Sequence, residues 1–314
     1  MAVSGIMHAM FRPLLSRFLL ALTFSVPLLL AWWLDTYVAE PLRDAHSCNV
    51  ILHTPQATAA ARLAAELEAR GYAWPPEAPV PRLAVKAMPG DMAALGIAQR
   101  KALFFRIVLP LVMAENERLA RQRARLEQAF ARGVLWHGTH AWRFVQRLAS
   151  SFGLQGDLND PDFRARLLRR VDTLPLGLAL AQAANESAWG MSRFAVQGNA
   201  LFGQWTWVAD AGITPLQRAT GARHSVRAYP NLQASVRAYM HNLNVGHAYQ
   251  DLRHLRARLR AQGQEPGGLG LAGMLQRYSE RGEAYVAEIR GMIRSNHLDH
   301  LGQPVFAQLP GITP

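Results

Sequence analysis

Residues 174–190 read Leu-Pro-Leu-Gly-Leu-Ala-Leu-Ala-Gln-Ala-Ala-Asn-Glu-Ser-Ala-Trp-Gly, an apolar run that ends in one acid. Leu, Ala and Gln are good helix formers. The stretch has no polar face, so the helix predicted from Leu174 to Ser187 belongs inside a core. Thr173 suits its N-cap and Pro175 its first turn. Glu186 is the one carboxylate in the run, close to Trp189. Against apolar walls a carboxyl group loses hydration of its charged form and its pKa rises. The partial negative charge of a helix C-terminus pushes the same way. Such a group can protonate a glycosidic oxygen near neutral pH. A side chain pointing to solvent from a helix end is the alternative that spacing alone leaves open.

Other helices follow from periodicity on both sides of this run. Ala57 to Arg70 carries Leu63 and Leu67 and stops at Gly71. Pro75, Pro76, Pro79 and Pro81 make the next stretch a linker or an extended packing segment. Ile97 to Ala131 repeats apolar residues every three or four positions. Pro110 should kink or divide it, and its charged half from Glu115 to Arg132 suits an exposed helix with i, i+4 pairs. Trp142 to Phe152 and Pro161 to Val171 are further helices. Gly198 to Trp207 and His224 to Tyr229, separated by Gly212, Pro215 and Gly221, predict a small β-hairpin or lobe. Helices resume at Asn231, with stripes through Tyr239 and Leu243, through Tyr249 and Leu252, and through Tyr285 and Ile289. A short strand is predicted at Asn49 to Leu52, and the tail from Leu301 reads as irregular.

The chain has 314 residues, with 34 Lys and Arg against 22 Asp and Glu, a formal charge of +12. That balance favours anionic surfaces without choosing among nucleic acid, lipid headgroups and wall polymers. No basic stretch is interleaved with aromatics as a single-strand binder needs, so nucleic acid is not an expected partner. The single cysteine, Cys48, excludes an intrachain disulfide and a Cys-based zinc site. His247, Asp251 and His254 share a helical face, but three ligands on one helix rarely converge on one ion, and no metal is expected. At the N-terminus Arg12 and Arg17 precede an uncharged run from Phe18 to Leu34 that ends in Trp32-Trp33-Leu34. The pattern predicts an uncleaved membrane anchor, with a cleaved signal peptide as the alternative.

Asn185-Glu186-Ser187-Ala188-Trp189-Gly190, followed by Gly198-Asn199-Ala200-Leu201-Phe202-Gly203, resembles glycoside hydrolase family 73. These are bacterial β-N-acetylglucosaminidases, often described as mannosyl-glycoprotein endo-β-N-acetylglucosaminidase-like. Three further segments carry the likeness: Lys101 to Arg106 through Glu115 to Arg118, Asn242-Leu243-Asn244 with His247-Ala248-Tyr249, and Arg277 to Gly282. The enzymatic resemblance covers residues 140–298, and a closer one extends upstream to about residue 80. It implies an α+β, mainly helical chain: a lysozyme-like domain with a small β-lobe, preceded by the N-terminal membrane helix. It also implies Glu186 as general acid, Tyr278 beside the scissile bond, and Trp189, Asn199, Phe202 and Trp205 at the sugar. No cofactor is implied.

Ala200 replaces the second asparagine of the family's NNLFG. A two-carboxylate mechanism wants a second acid about 5 to 9.5 Å from the first, yet between Glu186 and Asp251 the chain has only Asp210. Asp210, Glu280 or Glu283 could serve, or the substrate's own acetamido group could stabilise the cation. The expected organisation is a signal anchor (1–40), a Pro-rich and helical juxtamembrane region (41–139), the glucosaminidase-like domain (140–300) and a tail (301–314). The expected partners are peptidoglycan glycan strands and, through the N-terminal segment, the inner membrane. The domain would face the periplasm of a bacterial envelope. A lytic transglycosylase on the same fold and a non-catalytic glycan-binding scaffold are the alternatives.

Overall fold

The structure, a computed structural model, describes residues 59–216, 224–302 and 304–307. The predicted anchor at Phe18 to Leu34, Cys48 and the strand at Asn49 to Leu52 lie outside them. Among the described residues no helix is long and apolar enough to cross a membrane. The chain is α+β and mainly helical, with a small antiparallel sheet. It divides into two compact units, one containing residues 126–164 and the other residues 59–125 and 165–307.

In the smaller unit, α3 (His140–Ser151) starts where Thr139 accepts a hydrogen bond from the Trp142 backbone N–H. It buries Val145, Leu148 and Ala149. Arg164 donates to the carbonyls of Leu158 and Gly133 and to Asn159 Oδ1. Asn159 in turn pairs with the backbone of Leu135. One guanidinium therefore holds together the loops on both sides of the helix.

The larger unit begins with α1 (Ala60–Ala69) and continues into α2 (Ile97–Ala131), whose C-terminal turns pass into the smaller unit. Pro110 does not divide α2. Its missing N–H removes one rung, but Phe104 through Val112 are buried on all sides, and each large apolar side chain there contributes about 1.5–3 kcal/mol. The charged half of α2 is not simply exposed, since Glu115 is buried against Arg118 and Arg237. The prolines after α1 form a packing segment rather than a free linker. Trp74 stacks on Phe105, and Val80 pairs in parallel with Phe306, which gives the expected irregular tail an ordered contact.

The core of this unit is α5 (Leu176–Glu186), in which every residue from Gly177 to Ala184 is buried. It starts two residues later than predicted. Pro175 occupies the N-cap position, and the Thr173 hydroxyl accepts from Arg260 instead of capping the helix. α5 packs against α9 (Gly268–Ala272), α10 (Glu283–Ser295) and the turn Leu298–His300. At Gly177 a Cβ would lie 2.6 Å from the Leu298 carbonyl oxygen, so only glycine permits that approach.

α4 (Pro161–Arg170), α6 (Arg193–Gly198), α7 (Leu232–Val245) and α8 (Gln250–Ala261) complete the helices. Gly198 ends α6 and so belongs to a helix, not to the lobe as predicted, because the chain turns only at Asn199. The lobe is a three-stranded antiparallel sheet. β3 (Ser225–Arg227) lies between β1 (Trp205–Thr206) and β2 (Gly212–Ile213), with Val226 opposite both Trp205 and Ile213. A Cβ at Gly212 would collide with the Val226 carbonyl.

Behind α5 sits a buried charge cluster. Asp172 Oδ2 lies 3.2 Å from Arg256 Nε, 2.9 Å from Arg260 Nε and 3.6 Å from Arg123. Arg256 is wholly buried, and loss of hydration pushes its pKa down to about 10. Asn244 joins the cluster by accepting from Arg256 and donating to the Asp172 carbonyl. Removing one partner of a buried pair costs about 3–5 kcal/mol, because the other charge stays buried and uncompensated. Asp172→Asn should therefore lower the urea midpoint by more than any single arginine-to-methionine change among its partners. Equilibrium denaturation checks this.

Candidate active site

Glu186 sits where α5 ends, and the end is built by Ser187. The Ser187 hydroxyl donates to the Ala183 carbonyl at 2.6 Å and accepts from the Gly190 N–H at 2.9 Å. Ala188, Trp189 and Gly190 then all have positive φ (50°, 59° and 79°), so the chain reverses at once. Glycine adopts that backbone freely while alanine and tryptophan do so at a cost, and a buried, doubly bonded serine supplies the compensation. The turn leaves Glu186 facing a cleft of about 1080 Å³.

The opposite wall is the Asn199 to Gly203 turn. Asn199 is left-handed (φ 52°) and donates to the Tyr229 carbonyl, tying α6 to the segment after β3. The Leu201 N–H donates to Ser235 Oγ, and Phe202 stacks on Tyr239 at 3.8 Å between centroids. Gly203 (φ 59°) comes so close that a Cβ there would lie 3.7 Å from Glu186 Oε2. Ala200, where the family has asparagine, is buried with Val226 and Tyr229 and packs the base of the lobe.

Glu186 Oε1 accepts from the Tyr285 hydroxyl at 2.8 Å, with Asn185 Nδ2 more distant at 3.5 Å. Burial raises the Glu186 pKa above the ordinary glutamate value, and the hydrogen bonds from Tyr285 and Asn185 and the charge of Arg281 only partly oppose it. Tyr278 lines the same cleft, donates to the Phe202 carbonyl at 3.2 Å and lies parallel to Tyr285. Burial pushes the Tyr278 hydroxyl well above its usual range. It is therefore a neutral donor, not a base.

The structure thus brings Glu186, Tyr278, Phe202 and Trp205 to one cleft. Of the other candidates it brings Glu280 to the exposed edge of that cleft and places the rest elsewhere. Trp189 turns away from the cleft, packs edge-on against Phe104 and Phe105 and lies under Lys101 Nζ. Asn199 shapes the turn and does not line the cleft. Asp210 is exposed at the lobe's tip in a left-handed conformation and does not line the cleft. Glu280 lies on the rim and Glu283 starts α10.

Sequence reasoning missed Tyr285, Trp207 and Tyr249. Tyr285 reads as one more residue of an apolar stripe, and only the tertiary fold reveals that its hydroxyl meets Glu186. For Trp207 the one local signal is its alternation with the buried Thr206. It is 71% exposed on the lobe beside Trp205, which stacks on His224. Among the described residues no group of three His, Cys, Asp or Glu side chains could hold a metal ion.

Residues 163–298 match the family model for mannosyl-glycoprotein endo-beta-N-acetylglucosaminidase. Protein bax of Escherichia coli (strain K12) is 30% identical over 201 residues, which cover 63% of this chain and 70% of that protein. No solved structure matches the chain significantly. The family match takes in α5, both turns, the lobe and α10.

Ser187→Ala removes an acceptor from the buried Gly190 N–H, a loss of about 1–3 kcal/mol. The expected result is a lower melting temperature together with a changed near-ultraviolet signal from Trp189. An unaltered signal would mean that the turn does not depend on this hydroxyl.

Proposed function

This chain belongs to the bacterial bax-like glucosaminidase family, and we propose that it hydrolyses the β-1,4 glycan bonds of peptidoglycan as a β-N-acetylglucosaminidase. The observation that carries the reading is a part-buried Glu186 at the end of a core helix, facing Gly203 across an aromatic cleft. Glu186 acts as general acid and protonates the leaving glycosidic oxygen. Tyr278 places a neutral hydroxyl beside it, whose one proton goes to the Phe202 carbonyl. The exposed Trp205 and Trp207 offer apolar faces to the sugar rings, while the buried Phe202 packs on Tyr239 and backs the cleft. A helix-borne acid opposite a β-lobe is the arrangement of lysozyme-like folds, and we assign this domain to them.

The lobe holds no acid but Asp210, because residues 187–250 contain no other. Glu280 reaches only the exposed edge of the cleft, and we assign stabilisation of the cation to the N-acetylglucosamine acetamido group rather than to a second carboxylate. Asp210→Asn should keep most activity, and its loss from a folded protein would overturn this mechanism. The same scarcity of acids favours a second reading, a lytic transglycosylase, in which Glu186 alone first donates and then removes a proton. The uncharged run at Phe18 to Leu34, with arginines before it, supports anchoring in the inner membrane with the domain in the periplasm.

Digestion of purified peptidoglycan, wild type beside Glu186→Gln, tests the assignment. Reducing N-acetylglucosamine ends made by the wild type alone are the expected products, and anhydro-muramic ends would select the transglycosylase. A folded, glycan-binding protein without products would leave a scaffold. Because the acid must be protonated to act, activity should fall as pH rises through a Glu186 pKa above the usual glutamate value. Trp207→Ala should raise KM for polymeric glycan several-fold and change kcat far less.

A further inference from the structure

We infer that Tyr285, Gln182 and Tyr239 form a polarity lock that forces the acidic proton of Glu186 onto Oε2, the oxygen turned toward Gly203. The inference rests on the reading of Glu186 as general acid. The three residues are 1%, 0% and 0% exposed, and no other chemistry assigned to the site uses them. The Tyr285 hydroxyl donates to Glu186 Oε1 at 2.8 Å. Gln182 Nε2 donates to the Tyr285 oxygen at 2.9 Å. The Tyr239 hydroxyl donates to Gln182 Oε1 at 2.6 Å.

The direction of every bond follows from the first. An ionised carboxylate only accepts, so Tyr285 must donate its single proton to Oε1. The Tyr285 oxygen can then only accept, which turns the Gln182 amide so that Nε2 faces it. Gln182 Oε1 is left facing Tyr239, which must donate. A proton on Glu186 Oε1 pointed at Tyr285 would have to reverse Tyr285, flip the buried amide and reverse Tyr239 together, and one pointed elsewhere would leave Oε1 a much poorer acceptor for Tyr285 and Asn185. Oε2 has no hydrogen-bond donor among the described residues and lies 3.7 Å from where a Gly203 Cβ would be. The proton therefore rides on the oxygen that faces the cleft, where a glycosidic oxygen would receive it.

The other groups around Glu186 do not supply this selection. Arg281 lowers its pKa and Glu288 raises it, both through charge alone. Glu280 lies on the cleft rim, Tyr278 donates to the Phe202 carbonyl, and burial pushes the Tyr249 hydroxyl up. Tyr285 is accordingly a positioning residue that acts through Glu186.

The test is direct titration of Glu186 by carboxyl carbon resonance in the full chain, with Glu186→Gln assigning the signal. It is run for wild type, Tyr285→Phe and Tyr239→Phe beside the pH profile of kcat/KM. Removing the donor from the carboxylate destabilises the ionised form, so Tyr285→Phe should raise the midpoint by about one pH unit. The alkaline limb should move up with it, and kcat should fall while KM changes little. Tyr239→Phe, one link further away, should give a smaller shift in the same direction. An unmoved or lowered midpoint in folded Tyr285→Phe overturns the lock, even if activity falls. An inactive wild type or an active Glu186→Gln would instead sink the general-acid reading, and the titration would still decide the lock.

Discussion

Everything in the larger unit depends on burying α5 on every side. A helix without a polar face can be stable only if neighbours cover its whole circumference. α9, α10 and the Leu298–His300 turn pack against it, Tyr239 of α7 reaches Gln182, and Gly177 lets the turn come into backbone contact. The same enclosure acts on Gln182 and Glu186, two of the three polar side chains of the helix. Gln182 must find buried partners and does so in Tyr239 and Tyr285. Glu186, one turn further on, escapes only because the helix ends there. Its raised pKa is thus a product of core packing, with hydrogen bonds trimming it.

The two sequence motifs are best understood as turns rather than as collections of ligands. In one, Ser187 closes α5 and Trp189 anchors the reversed chain against Phe104 and Phe105. In the other, Asn199 reverses the chain after α6 and Gly203 brings it against Glu186. Most of their residues therefore support the cleft from behind. Glu186, Phe202 and Gly203 line it. A motif residue can thus be indispensable to a site without touching anything bound there.

This division sets what could be read from the sequence. The buried helix, its lone acid and the lobe were legible because each is a local pattern: an unbroken apolar run, a single carboxylate, and short strands between glycines. Trp189 was misplaced because an aromatic three positions past an acid reads as its neighbour, whereas three successive positive-φ residues turn it away. Thr173 had the chemistry of a cap, but Arg260 and the Asp172 cluster compete for its hydroxyl. Tyr285 was hidden for a further reason. Its ring fits the stripe of α10, while its hydroxyl bonds to residues on α5, about a hundred positions earlier in the chain.

The arginines carry the same lesson about electrostatics. A formal charge of +12 invites a picture of a basic surface. Yet several guanidiniums work inside the fold as fasteners for main-chain carbonyls. Arg253 holds the Leu243 and Gly246 carbonyls at the end of α7, and Arg256 holds that of Arg169 at the end of α4. Arg106 ties down Ala64 and Tyr72, and Arg123 ties down Leu168 and Val171. Helix C-termini leave carbonyls unpaired with partial negative charge, and a planar cation with five donors satisfies several at once. Arg106, Arg253 and Arg256 are buried, so their charge sits inside the fold rather than on its surface. Among the cations of the described residues only Arg281 acts appreciably on Glu186, and it does not overcome burial. Burial therefore outweighs the one cation that acts on it, and the acid remains protonatable in a strongly basic protein.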